Sequence, residues 1–295
     1  MKKKIGIVAD SSSGLSIKDL KEMNIGFCPL LINFSDGTTI SDDPNILKDE
    51  EFYDRIVKRK QSAKTSQTPL GQMSSIWEET LTKFEQIIFI PLSKGLSGQY
   101  NTATMLAKES NFKNKVFVFD SNGVSVINWL LVKKAYQMSL NKKNSVNDII
   151  EALKLISDNY IAFILPYDLN YLVRGGRISK AAAALATMLK INPILSFDGT
   201  IDKFDKTRTW DKAIKNTLKE INKSKKAESI TAFYIIHAFA EAKAIEKVNK
   251  YVKDYGIKNI KIINLANVIC AHTGIGTFSF VAFNLTKDKL PKLEE

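Results

Sequence analysis

Five short segments rich in serine, threonine and glycine carry the side chains best suited to binding chemistry. They are residues 10–13 (DSSS), 65–69 (TSQTP), 91–98 (PLSKGLSG), 120–123 (DSNG) and 272–277 (HTGIGT). Loops of this kind bring backbone N–H groups close to a ligand, and a helix beginning after Gly98 would add unpaired N–H groups and the positive end of its dipole. The pattern favours an anion site, but the same residues also cap helices and form turns.

The elements around these segments predict how they are positioned. Apolar runs at 4–9, 27–34, 86–90, 116–119 and 160–165 alternate with helical patterns at 70–84 and 100–109. Strand and helix in alternation predict a parallel sheet with helices on both faces. Ligands bind beyond the carboxyl ends of such strands, and the first four segments are candidates for that edge.

The second half of the chain has a different pattern. Asp198-Gly199 lies between two short apolar runs, which predicts a hairpin because this dipeptide readily adopts positive φ angles. Further strands at 229–237, 261–265 and 278–283, and helices at 178–189, 210–221 and 240–255, predict an α+β domain with a mixed or antiparallel sheet. We therefore expect an α/β fold of two domains, with residues 1–167 in the N-terminal domain and residues 168–295 in the C-terminal domain.

The anion is expected to be a carboxylate and not a polyphosphate. The sequence contains no G-x-x-x-x-G-K-[ST] motif. Gly274-x-Gly276 could open a dinucleotide-binding fingerprint, but Ser279 occupies the position of the third glycine. No nucleotide cofactor site is predicted, and no cofactor of any kind.

The two histidines leave a hydrolase open as an alternative. His237 ends an apolar strand and is expected to be structural, whereas His272 lies in a loop of small residues where it could contact an anion. An acyl hydrolase would use Ser97 or Ser93 as the nucleophile with His272. No G-x-S-x-G nucleophile elbow surrounds either serine, although catalytic groups meet in space and not in sequence.

The composition and charge of the chain bear on the remaining classes of function. Lys and Arg number 43 against 31 Asp and Glu, a formal charge of +12, which keeps nucleic-acid binding as a second alternative. No nucleic-acid module signature supports it. The two cysteines are far apart and no Cys/His cluster is present, so no metal site is predicted. The apolar run after the basic first residues ends at Asp10, and no stretch approaches ~20 apolar residues, so we expect a cytoplasmic protein.

Several motifs, taken in order, resemble the DegV family of bacterial lipid-binding proteins. The resemblance includes Asp10-Ser11, the Thr-Ser-Gln segment at 65–67, the P-L-S-x-G-L-S-G-x-Y run at 91–100, and Asp120-Ser121. It continues through L-x-x-G-G-R-I-S at 172–179, N-P-I-L at 192–195 with Asp198-Gly199, and H-T-G-x-G at 272–276. Each motif alone is weak, but their order over nearly the whole chain is specific.

The resemblance implies a protein that binds one long-chain fatty acid between its two domains and has no catalytic centre of its own. It implies that the carboxylate is bound by Thr65, Ser66, Ser97 and His272, with Ser93 and Thr277 as further candidates. Some family members present the fatty acid to a separate ATP-dependent fatty acid kinase, which implies partner-facing roles for Arg177 and Arg208. Transient contact with a membrane is also compatible with this role. The chain departs from the family pattern at Thr68 and Ile275, where prolines are common, which leaves the head-group donors in place.

Overall fold

The computed structural model describes residues 3–225, 229–286 and 288–292. Contacts between residues divide the chain into two compact units. The first comprises Met1–Asp158, Ala266–Val268 and Asp288–Glu295, and the second comprises Asn159–Leu265 and Ile269–Lys287. The division falls ahead of the 167/168 boundary expected from the sequence, because strand β8 (Tyr160–Leu165) pairs with strands of the second unit.

A parallel sheet is the centre of the first unit. Its strands, in the order β2-β1-β6-β7, are Gly26–Cys28, Lys3–Asp10, Phe84–Ile90 and Val116–Val118. All three pairings are parallel, so the carboxyl ends of the strands share one edge. The predicted parallel sheet is confirmed.

A three-stranded antiparallel sheet also belongs to the first unit. Its order is β4-β3-β5, with bounds Thr39–Ser41, Leu31–Phe34 and Ala63–Ser66. The prediction of one strand over 27–34 was wrong, because the chain leaves the parallel sheet after Cys28 and enters this sheet at Leu31. Pro29 at the break lacks the N–H that a continuing strand would donate.

Among the described residues, six α-helices accompany these sheets. They are α1 Ile17–Met23, α2 Asp49–Tyr53, α3 Leu70–Lys83, α4 Gln99–Leu106, α5 Val126–Ser139 and α6 Val146–Ser157. Helices α1 and α6 each begin at a capping box, Ser16 with Asp19 and Ser145 with Asp148. Trp77 of α3 packs edge-on against Phe89 of β6, within an apolar cluster that joins α3 and α4 to the parallel sheet.

A six-stranded mixed sheet forms the second unit, as the sequence predicts. Its order is β10-β9-β8-β13-β11-β12. Besides β8, the bounds are β9 Asn192–Phe197, β10 Ile201–Thr207, β11 Ala232–His237, β12 Ile260–Asn264 and β13 Phe278–Phe283. The predicted hairpin is confirmed, since β9 and β10 pair antiparallel across Asp198-Gly199.

The helices of this half of the chain are α7 Asn170–Gly175, α8 Lys180–Ala183, α9 Trp210–Lys225, α10 Ala242–Asp254 and α11 Asn267–Thr273. An apolar cluster packs α9 and α10 against the sheet. The predicted helix over 178–189 is shorter and broken, because the Ser179 hydroxyl caps α8 and a 3₁₀ turn, Ala184–Thr187, follows it.

Candidate functional site

Three of the five polar segments meet at the carboxyl edge of the parallel sheet. The Leu92 N–H donates to the Asp10 carboxylate (2.8 Å), and the Ser93 N–H donates to the Gly123 carbonyl (2.8 Å). The Ser125 N–H donates to the Ser12 carbonyl (2.8 Å). The segments after β1, β6 and β7 therefore form one connected surface, as the parallel order predicts.

The segment at residues 65–69 reaches this surface by another route. Thr65 and Ser66 lie on β5 of the antiparallel sheet and not after a parallel strand, which corrects the expectation for them. The segment is joined to the start of α4 through Thr68 and Gln99, both fully buried. The Thr68 N–H donates to Gln99 Oε1 (3.0 Å), and Gln99 Nε2 donates back to Thr68 Oγ1 (2.9 Å).

Thr68 also contacts two backbone carbonyl groups at the point where the chain passes from the parallel sheet to the antiparallel sheet. Its hydroxyl lies 3.1 Å from the Cys28 carbonyl oxygen and 2.9 Å from that of Pro29. A proline at position 68 would supply neither the N–H nor the hydroxyl. The departure from the family pattern thus creates a specific clamp between β5 and α4.

The loop at residues 91–98 is called the β6 loop below. Its two serine side chains accept hydrogen bonds from backbone N–H groups close by in the chain. Ser93 Oγ accepts from the Gly95 N–H and Ser97 Oγ from the Gln99 N–H, both at 3.2 Å. Ser121 makes the same turn with Gly123 (3.2 Å). A hydroxyl that accepts in this way still has its own proton to donate. The turn-forming role and the anion-binding role are therefore compatible in one side chain.

Two of the predicted hydroxyls have that proton available. Among the contacts of the described residues, Ser97 Oγ only accepts from Gln99, and Ser66 Oγ only accepts from Asn33 Nδ2 (2.8 Å). Ser97 is half-buried and Ser66 is exposed. Both can donate to a carboxylate without losing an existing bond.

His272 lies within the second unit against a glycine backbone. A Cβ atom on Gly175 would lie 2.5 Å from His272 Nδ1, so only glycine fits there. Gly274 (φ +79°) is equally restricted, because its Cβ would lie 2.6 Å from the Tyr171 ring. The two glycine motifs, G-G-R at 175–177 and H-T-G-x-G at 272–276, are thus two halves of one packed arrangement.

Burial and a neighbouring cation keep His272 neutral. Burial, followed by the charge of Arg177, lowers the pKa of the imidazole to about 4. The Arg177 guanidinium itself donates to the Gly175 carbonyl and is half-buried. At neutral pH His272 can act as a hydrogen-bond donor or acceptor, but not as a cation.

Thr277 and Arg208 differ from the other candidates. Thr277 is buried, donates to the Thr273 carbonyl (2.8 Å) and accepts from the Tyr167 N–H (3.4 Å), so its hydroxyl proton is already used. Arg208 is exposed at the end of β10 and lies 3.5 Å from the Leu189 carbonyl. Thr277 is therefore suited to stabilising the loop at residues 272–277, and Arg208 is suited to contacting a partner protein.

The described ranges lack the signatures of a metal site and of a membrane-spanning helix. No group of three or more His, Cys, Asp or Glu side chains there is arranged to bind a metal ion. None of the helices built from these residues has the length and apolar character needed to cross a bilayer.

Comparison with known proteins decides the family. The model described as "Uncharacterised protein, DegV family" matches residues 4–285. This chain belongs to the DegV family. A DegV domain-containing protein of Staphylococcus aureus (strain COL) is 33% identical over 93% of this chain and 97% of its own. Protein DegV of Bacillus subtilis (strain 168) is 29% identical over 92% of this chain and 96% of its own.

Two solved DegV structures share the fold. The crystal structure of DegV from Bacillus subtilis, described as a fatty acid binding protein, has a TM-score of 0.82, with 27% identity over 96% of this chain and all of that one. A DegV family protein from Thermus thermophilus, whose structure is described by its fatty acid binding, has the same TM-score, with 25% identity and the same coverage. The DegV fold inferred from the ordered motifs is confirmed.

Sequence reasoning missed two buried polar residues near the candidate site. Gln99 follows the predicted loop and reads as an ordinary first residue of a helix, yet it is fully buried. Asp42 is also buried, but no motif surrounds it. A buried polar residue gives no signal in a single sequence, because its partners come from distant segments.

Proposed function

We propose that this chain binds one long-chain fatty acid and presents its carboxylate to a separate ATP-dependent fatty acid kinase. The observation that carries the first part is the likeness, over nearly the full length of both chains, to a Bacillus subtilis protein described as a fatty acid binding protein. The proposal includes no catalytic centre of the chain's own.

The head group is proposed to bind through neutral donors. Ser97 and Ser66 have hydroxyl protons available, and Thr65 and His272 complete the set. Ser93 is a further candidate, whereas the Thr277 hydroxyl donates to Thr273 and ranks last. A hydrogen bond to a charged group contributes roughly 1.5–3 kcal/mol, so three or four such donors suffice to fix the carboxylate.

The acyl tail supplies most of the binding free energy. Burying one methylene contributes about 0.8 kcal/mol, so a long chain gains on the order of 10 kcal/mol before the costs of association. Head-group contacts then determine orientation more than affinity. This division suits a carrier whose ligand must keep its carboxylate accessible to a phosphate donor.

Presentation to a kinase is proposed to involve the two arginines. Arg208 is exposed and available to a partner. Arg177 is half-buried beside His272, so it would act on the partner only near the head group. Neutral donors on the carboxylate favour phosphoryl transfer in this proposal, because a tight ion pair would lower the nucleophilicity of its oxygen.

Delivery of the fatty acid is proposed to include transient contact with a membrane. Leu189 is 84% exposed beside Met188, which is 40% exposed. Lys190, Lys206 and Arg208 are exposed in the same region. Exposed apolar side chains among basic ones are typical of surfaces that touch anionic lipid.

The hydrolase alternative is weakened by the state of His272. A general base is most effective when its pKa lies near the working pH, and the pKa of His272 is about 4. An imidazole that resists protonation this strongly is a poor acceptor for a serine proton. Hydrolysis of acyl esters that is lost in Ser97→Ala would nevertheless overturn the carrier proposal.

Mass spectrometry of an organic extract tests the binding proposal. Purified protein is denatured and extracted, and the fatty acid is quantified against the protein. We expect about one long-chain fatty acid per chain. An empty extract, together with failure to take up added oleic acid, would refute fatty acid binding.

A coupled assay tests the presentation proposal separately. Protein loaded with fatty acid is incubated with a bacterial fatty acid kinase subunit and ATP, and acyl phosphate is trapped with hydroxylamine. We expect hydroxamate only when all three are present, with Arg208→Ala reducing the yield at unchanged fatty acid content. No hydroxamate from loaded protein would refute the presentation step and leave the carrier standing.

A further inference from the structure

Two carboxyl groups are buried in the first unit, and the residue after one of them is bonded to the other. Asp10 is fully buried at the end of β1, and Asp42, directly after β4, is 6% exposed. The Ser11 hydroxyl donates to the Asp42 carboxylate and accepts from the Leu30 N–H (3.1 Å). The Leu30 carbonyl in turn accepts from the Asp42 N–H (2.8 Å).

Neither carboxyl group has a cationic partner. No ion pair among residues 3–225, 229–286 and 288–292 includes Asp10 or Asp42. Their charge is met by neutral donors, namely Ser12 and Leu92 at Asp10, and Ser11 and Val268 at Asp42. Two unpaired carboxylates in a buried region cannot both be ionised at low cost.

The groups facing the pair from other elements make ionisation harder still. Burial, followed by the charges of Asp49 and Asp10, raises the pKa of Asp42, and burial, followed by the charge of Asp10, raises that of the Cys28 thiol. In α5 the neutral Asn128 amide donates to the Pro91 carbonyl (3.1 Å), next to Leu92. Burial is the largest cause at both acids, and it raises the pKa of Asp10 to about 6 and that of Asp42 to about 8.

Asp10 is connected directly to the loop that carries the candidate head-group serines. One carboxylate oxygen accepts from both the N–H (3.1 Å) and the hydroxyl (2.5 Å) of Ser12. The other accepts from the Leu92 N–H (2.8 Å), immediately before Ser93 in the β6 loop. An ionised carboxylate accepts all three bonds as a charged group, whereas a protonated one is a weaker acceptor for the Leu92 N–H.

We propose that ionised Asp10 is a positioning residue that holds the β6 loop for ligand binding. Protonation of Asp10 weakens its hydrogen bond from the Leu92 N–H and so loosens the loop. Fatty acid affinity therefore has an acid limb set by Asp10. This inference rests on the proposed fatty acid binding.

Equilibrium binding of oleic acid to the full chain from pH 5 to pH 9 tests the inference, with Asp10→Asn, Asp42→Asn and Asp158→Asn beside the wild type. Asp158 is an exposed residue at the end of α6 and serves as the matched control. Ratios between proteins at each pH cancel the ligand's own protonation.

We expect wild-type affinity to fall as the pH is lowered from 7 to 5. Asp10→Asn should bind about tenfold more weakly at pH 7, the value of one hydrogen bond, and should lose the acid limb. Asp42→Asn leaves the contact between Asp10 and Leu92 in place and should keep the acid limb, and Asp158→Asn should match the wild type. An acid limb that survives in Asp10→Asn overturns the inference while leaving fatty acid binding intact.

Hydrogen exchange of residues 91–98 without ligand separates the two proposals. After correction for intrinsic exchange, protection of this loop should fall below pH 6 in the wild type and should be low at every pH in Asp10→Asn. Absence of oleic acid binding in all proteins would refute the proposed function alone. Loop protection that Asp10→Asn leaves unchanged would refute the positioning role whether or not fatty acid binds.

Discussion

The β6 loop in the first unit and the loop at residues 272–277 in the second, called the His272 loop, can be compared by what surrounds their polar side chains. In the β6 loop, Ser93 and Ser97 accept backbone N–H groups two residues ahead, so the side chains themselves shape the turns. In the His272 loop the shape comes from absent side chains, since Gly175 and Gly274 leave room for the His272 and Tyr171 rings. Small polar side chains thus shape the β6 loop, whereas the absence of Cβ atoms at two glycines permits the packing of the His272 loop.

The difference predicts how each loop tolerates substitution. Removing a hydroxyl from the β6 loop deletes one hydrogen bond and forces no backbone or ring to move. Adding a methyl group to the His272 loop forces backbone or aromatic rings to move in a packed region, which is costly. We therefore expect the His272 loop to fail through folding and the β6 loop to fail through binding.

Gly274→Ala is expected to have the largest effect. Its left-handed φ of +79° costs an alanine about 1–2 kcal/mol, and the contact with Tyr171 adds about 1–3 kcal/mol. Gly256→Ala is the matched control, because Gly256 has the same φ and nothing within 4 Å of the added Cβ. Urea denaturation should show a free energy of unfolding lowered more in Gly274→Ala than in Gly256→Ala. Equal losses in the two would contradict the packing role of Gly274.

Ser97→Ala is expected to lower fatty acid affinity by roughly 1.5–3 kcal/mol, the contribution of a hydrogen bond to a charged group. Ser121→Ala removes the same kind of turn, but its hydroxyl already lies near the Gly123 carbonyl oxygen (3.3 Å). Isothermal titration with oleic acid should therefore separate the two variants at similar thermal stability. If Ser121→Ala weakens binding as much as Ser97→Ala does, turn geometry and not a free hydroxyl proton governs affinity.

His272→Gln is expected to change the pH dependence of stability. The folded-state pKa of His272 is lowered to about 4 by burial, so the unfolded chain binds more protons between about pH 4 and 6.5. The contribution of His272 is fully present above pH 6.5 and is lost as the pH falls toward 4, on the order of 2–3 kcal/mol. Melting temperatures at pH 7 and pH 5 should differ less in the variant than in the wild type. The same difference in both proteins would mean that His272 is not buried in its neutral form.

Lys94→Met is expected to have the smallest effect. Lys94 forms an ion pair with Asp120 (2.8 Å) at the rim of the β6 loop, but its side chain is 62% exposed. Exposed pairs contribute little to stability and are screened by salt. Stability and oleic acid affinity in 0.15 M salt should both stay close to wild type. A large loss of affinity would show that charge, and not neutral donors, governs ligand binding at this loop.

Sequence patterns predicted the elements whose signal is local. Near-continuous apolar strands such as β6 predicted the parallel sheet, and Asp198-Gly199 predicted the β9–β10 hairpin. The break after Cys28 was missed because 27–34 is apolar throughout, and only the pairing of Leu31 with Ser66 shows that a second sheet begins there.

The candidate site could be predicted only in part. Hydroxyl-rich segments identified the edge where β1, β6 and β7 end, because parallel strands bring their carboxyl ends together. The partners Gln99 and Asp42 could not be identified, because their environment depends on residues from distant segments: Thr68 lies 31 positions before Gln99, and Val268 donates to Asp42 from α11. The role of each glycine near His272 likewise appears only once the rings opposite it are located.

Native mass spectrometry of the full chain with added oleic acid tests the central claim most directly. A single long-chain fatty acid should bind per chain, and Ser97→Ala should retain less of it than Ser121→Ala. Spectra that show only the bare chain at every concentration of oleic acid, from protein that melts cooperatively, would contradict the carrier function.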